Sequence, residues 1–122
     1  MSPEQKPQPV DPSKLSTINS LILQLSMILS DLLTAARATT DSTKLVQINN
    51  EYMGIQSCVN MAAQAQAAEN DVLFNQATSA LKAQAKVLED METQVKKIIS
   101  DAALAGRIAG YIVQALALIA KL

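Results

Sequence analysis

From Leu15 onward, apolar side chains return in alternating steps of three and four along almost the whole chain. The first run holds Leu15, Ile18, Ile22, Leu25, Leu29, Leu32 and Ala36, with Leu21, Ile28 and Leu33 widening the stripe. A second run carries Leu45, Ile48, Tyr52, Ile55, Val59 and Ala62. The third starts at Phe74 and passes through Ala77, Leu81, Gln84, Leu88, Met91, Val95, Ile98, Ala102, Ala105, Ala109, Ile112, Leu116 and Ile119, apolar everywhere except Gln84. Such spacing lays one stripe along an α-helix and gives it a face to bury against other helices. A half-buried strand would alternate in steps of two instead. The apolar residues are mostly Ala, Leu, Ile, Val and Met, with 3 glycines in 122 residues and aromatics at 2%. Most of these, Ala, Leu and Met above all, are good helix formers. The expected fold is all-α: an antiparallel helical bundle or coiled coil of three long helices with an apolar C-terminal extension, the alternative being a four-helix bundle.

Punctuation between the runs sets the boundaries. All 4 prolines lie within MSPEQKPQPVDP, which reads as an extended, disordered leader over residues 1–12. Asp11 and Pro12 then suit the cap and first position of a helix. The stretch ATTDST, Ala38 to Thr43, is a loop in which Asp41 or Ser42 caps the next helix. A turn falls near Glu69-Asn70-Asp71, with Asn70 or Asp71 as cap. The helices are therefore placed at about 13–38, 43–68 and 71–120, in a single domain over residues 13–122. A straight helix over 71–120 would be roughly 75 Å long against roughly 39 Å for each of the other two. Either it overhangs its partners or it folds back near Ser100-Asp101. The unbroken phase of the seam through Ile98, Ala102 and Ala105 favours the overhang. On its exposed side, the pairs Lys86–Asp90, Glu92–Lys96 and Lys97–Asp101 have the i,i+4 spacing of helix-supporting ion pairs.

Most chemistry is excluded by what the chain lacks. It contains no histidine, and Cys58 is its single cysteine, so His-based triads, zinc centres and an internal disulfide are absent. Cys58 lies in a helical run and reads as a small packing residue. Glu89, Asp90 and Glu92 form the one carboxylate cluster, but interleaved lysines make it a solvated ion-paired face rather than a metal site. No catalytic, cofactor-binding or metal-ligating set is expected, and no enzymatic activity. A formal net charge of −1 with scattered basic residues argues against nucleic acid as a partner. The run Leu21 to Leu33 followed by Ala36-Arg37-Ala38 has the outline of a signal peptide, but Gln24, Ser26, Ser30 and Asp31 interrupt it. Between Leu15 and Ala38 only Asp31 and Arg37 are charged. That suggests a first helix mostly enclosed by its neighbours.

The segment DAALAGRIAGYIVQALALIAKL, Asp101 to Leu122, differs from the rest. Its strongly polar side chains after Asp101 are Arg107, Gln114 and Lys121, one narrow stripe on an otherwise apolar cylinder. A helix apolar nearly all round sits inside a bundle, against lipid, or against another chain. Ala102 to Ala120 would span roughly 28 Å as a helix, close to the thickness of a bilayer's hydrocarbon core. Ala102, Gly106 and Gly110 form a small-xxx-small repeat, which permits close helix approach or makes room for a bulky neighbour.

In layout, with long antiparallel helices and the apolar stretch IAGYIVQALALIA, the chain resembles the α-helical pore-forming toxins, although it is shorter than typical members. The resemblance implies a helical protein that self-associates and contacts or inserts into membranes through its last helix, as a toxin-like or accessory subunit. Ile108, Tyr111, Ile112, Leu116, Leu118 and Ile119 would then supply membrane contact. Arg107 and Lys121 would bracket the buried length, and Gly106 and Gly110 would allow close association. An Ile112→Asp change would abolish membrane binding and spare helicity. The rival expectation is a soluble, self-assembling coiled-coil or adaptor protein, in which the same residues meet another copy or another helical subunit.

Overall fold

The structure, a computed structural model, describes residues 6–122. It is an all-α bundle built from α1 (Pro12–Ala38), α2 (Ser42–Gln66), α3 (Asp71–Ala83), α4 (Ala85–Ile98) and α5 (Ala102–Ala120). No strand occurs among the described residues. Helices α3 and α4 follow one another as a single bent arm, so the arrangement is four antiparallel arms: α1, α2, α3–α4 and α5. Neighbouring arms run α1–α2–(α3–α4)–α5 and back to α1, closing a four-helix bundle.

Four short acidic or amide side chains start the helices. Asp11 accepts from the Ser13 backbone N–H at 2.9 Å, and Asp41 from Thr43 and Lys44 at 2.9 and 3.1 Å. Asn70 accepts from Leu73 at 3.0 Å and Asp101 from Leu104 at 3.1 Å. Each satisfies a backbone donor that the first helical turn leaves free. The Ser13 hydroxyl also donates to Asp11 at 2.8 Å, and together these bonds hold the Asp11 carboxyl below its ordinary range.

The expected single helix over 71–120 is broken twice, with no glycine or proline at either break. The first break falls at Gln84, the one polar member of the third seam; it is half-buried, and α4 starts there without a side-chain cap. The second falls at Ile99–Asp101, where Ile99 turns extended and buries its side chain beside Ile98. Folding back here gives the apolar α5 a core to bury in, where an overhang would leave it in water. Continuity of the seam was a poor guide because Ala-rich α5 is apolar in almost every direction. Ala102 is in fact exposed, and the buried face runs through Leu104, Ala105, Ile108, Ala109, Ile112, Ala115 and Ile119. The break also separates Lys97 from Asp101, whose carboxylate caps α5 instead, while Lys86–Asp90 and Glu92–Lys96 pair at 3.1 and 3.9 Å.

The leader is also more ordered than expected. Gln8 and Asp71 exchange two hydrogen bonds, backbone N–H to carboxylate at 2.9 Å and Asp71 N–H to the Gln8 carbonyl at 2.8 Å. Val10 packs against the core. The part of the leader over residues 1–5 lies outside the described residues. Cys58 is buried among apolar groups, and burial pushes its thiol up to about 11, which leaves it inert at neutral pH.

Candidate functional site

Among the described residues two helices are long and apolar enough to cross a membrane, α1 (Pro12–Ala38) and α5 (Ala102–Ala120), and they are antiparallel neighbours. Between Leu15 and Ala36 the only charge on α1 is Asp31, and along α5 the only charge is Arg107. These two meet. The Arg107 guanidinium donates through Nε and an Nη to the two Asp31 oxygens at 2.9 and 3.0 Å, a bidentate pair. Asp31 is largely shielded, and its hydrogen bonds and charge raise the Arg107 pKa further. A longer contact, Gln24 Nε2 to the Tyr111 carbonyl at 3.5 Å, continues the same register.

The outward side of this helix pair is unusually apolar. Leu23 is 68% exposed, Met27 42% and Val113 49%. Around them the exposed positions are Ser16, Ser20, Ser26, Ser30 and Thr34 on α1, and Ala103, Gly106, Gly110, Gln114 and Ala117 on α5. Thus α1 is not enclosed: its charge-poor side, including Leu33, faces solvent.

The residues expected to form the surface are divided by the bundle. Ile108, Ile112 and Ile119 are core, exposed by 2% or less, because α5 turns that face toward the other three arms. Tyr111, Leu116 and Leu118 are half-buried at its margins. Gly106, Gly110 and Lys121 are exposed, and Arg107 is exposed but held by Asp31. Neither glycine accommodates a bulky neighbour: a Cβ at either would meet nothing within 4 Å. Ala at both positions should therefore stabilise the bundle by about 0.5–1 kcal/mol each, through the reduced freedom of the unfolded chain and better helix propensity. Urea denaturation of the double variant measures this directly.

Sequence reasoning missed Asp31 as Arg107's partner and Leu23, Met27 and Val113 as the outward apolar group. The pairing of α1 with α5, which no local pattern reports, is what brings Asp31 to Arg107. Among the described residues no cluster of three potential metal ligands occurs. No protein family, curated protein or solved structure matches the chain.

Proposed function

We propose that this protein is a non-enzymatic helical bundle that contacts membranes through the α1–α5 pair. The observation that carries the reading is the Asp31–Arg107 pair. The two helices able to span a bilayer are neighbours, and each neutralises the single mid-helix charge of the other. A lone Arg or Asp in hydrocarbon is costly, whereas a hydrogen-bonded pair facing the partner helix removes most of that cost. The bundle first presents Leu23, Met27 and Val113 to the membrane surface. Deeper insertion exposes Ile108, Ile112 and Ile119, which requires α1 and α5 to part from α2 and from the α3–α4 arm. The toxin-like layout is consistent with that sequence of events, and the exposed glycines allow close packing between copies.

The test is flotation of the full chain with vesicles of phosphatidylcholine and phosphatidylglycerol. Wild type should float. Asp31→Asn, which leaves Arg107 facing a neutral amide, should recover about tenfold less protein with the vesicles while keeping its helical circular dichroism. If wild type stays at the bottom of the gradient and is larger than a monomer by light scattering, the same apolar side is an interface between copies. The soluble self-assembling reading then replaces the membrane one.

A further inference from the structure

On the opposite side of the bundle, α2 packs closely along α3 but only sparsely against α4, which leans toward α5 after the break at Gln84. The divergence leaves a cavity of about 340 Å³, open to solvent and lined by Gln47, Asn50, Glu51, Val87, Asp90, Met91 and Gln94. Glu51 is 6% exposed, and neither of its carboxylate oxygens has a hydrogen-bond partner. A buried, unpartnered carboxylate is among the costliest groups a core can hold. Every other buried position on α2 is Ile, Cys or Ala.

The lining holds a second carboxylate, Asp90, already paired with Lys86 at the rim, and three side-chain amides, but no cation of its own. Val87 and Met91 supply an apolar wall. The tip of Met91 rests in the space left by Gly54, where a Cβ would collide with its Cε. Gly54 stands one turn from Glu51 on the same side of α2, and Met91 lines the same cavity as Glu51, so this flexible side chain can give way to a ligand there.

The geometry points to a binding site for a small primary alkylammonium between α2 and α4, with its nitrogen on Glu51 and its alkyl part against Val87 and Met91. Three N–H donors match a carboxylate plus carbonyl oxygens from Gln47, Asn50 or Gln94. The aliphatic wall favours an organic cation over a hydrated metal ion, which would seek oxygen on every side. The site is independent of the membrane reading, since it lies away from the α1–α5 pair.

Burial lifts the Glu51 carboxyl to about 8, so below that pH it is mostly the neutral acid. Binding an ammonium ion therefore forms the carboxylate and releases its proton to solvent. Asp90 on α4 is the other titratable group facing the cavity, with Lys86 beside it. Affinity rises with pH until Glu51 is ionised.

Calorimetric titration of n-butylammonium chloride into the full chain at pH 7.5, in two buffers of different ionisation enthalpy, tests the site. The expected result is saturable one-site binding with a net release of protons, weakened at least tenfold in Glu51→Gln, and no binding of 1-butanol. Gly54→Ala, which displaces the Met91 tip and leaves the carboxylate intact, should change the affinity without changing the proton count. Absence of saturable binding overturns the proposal. So do equal binding by Glu51→Gln, equal binding of 1-butanol, or saturation by Mg²⁺ where the amine gives none.

Discussion

Glu51→Gln should make the bundle more stable at pH 8 and remove most of its pH dependence between pH 5 and 8. Burial lifts the Glu51 carboxyl from an ordinary 4.5 to about 8 in the folded chain. A raised acid contributes stability while both states keep their proton, below about 4.5. That contribution is lost as pH rises toward 8, because the unfolded chain ionises first and gains hydration that the folded chain cannot match. Wild type should therefore lose on the order of 3 kcal/mol between pH 5 and 8, followed as the urea midpoint at half-unit steps. The amide cannot ionise, so the Gln curve stays nearly flat over that window. The chain has no histidine to titrate in that window, and burial pushes the Cys58 thiol up to about 11, above it. A wild-type midpoint independent of pH from 5 to 8 would mean that water or a shifted Met91 solvates the carboxylate.

Glu51 also shows where reading the sequence stops. The second seam was read through Tyr52 and Val59 because they are apolar, yet the buried line on α2 is Ile48, Glu51, Ile55, Cys58, Ala62 and Ala65. Tyr52 and Val59 are only half-buried at its edge. The true line has the same alternating spacing, so it was available in the sequence, but it required accepting a glutamate as a core residue. Polarity normally forbids that. Helix identity, the loop at Asp41 and the starts of α1, α2 and α3 were legible because each rests on chemistry within one turn, and Asp41 and Asn70 are the caps where the sequence leaves Ser42 and Asp71 as alternatives. The fold-back at Ile99–Asp101 is one of the two readings the sequence leaves open, and it lost to a seam that continues through it. Which helices become neighbours is not local at all. Asp31 and Arg107 are 76 residues apart, and nothing in either surrounding stretch names the other.

Ile112→Asp and Val113→Asp, adjacent in sequence, should both lose membrane binding, but only the first should lose the fold. Ile112 is 1% exposed and sits against the other arms of the bundle, so a carboxylate there has no partner and no water. The cost is on the order of 4–5 kcal/mol, enough to unfold a small bundle, so helical signal and membrane flotation should disappear together. The expectation that this variant spares helicity is thereby replaced, because α5 presents that face to the core of the bundle. Val113 is 49% exposed on the outward side, where Asp is solvated and should cost less than about 1 kcal/mol, mostly helix propensity. Val113→Asp should keep the wild-type melting transition and lose vesicle binding, because it puts a charge on the exposed apolar side of α5 that the membrane reading sets against lipid. Thermal melts and flotation of the two variants, run side by side, separate the contributions of the two faces of α5. If Val113→Asp floats as well as wild type, first contact does not pass through the α1–α5 side. If it also unfolds, α5 depends on its outward face for packing, as the buried position of Ile112 does not require.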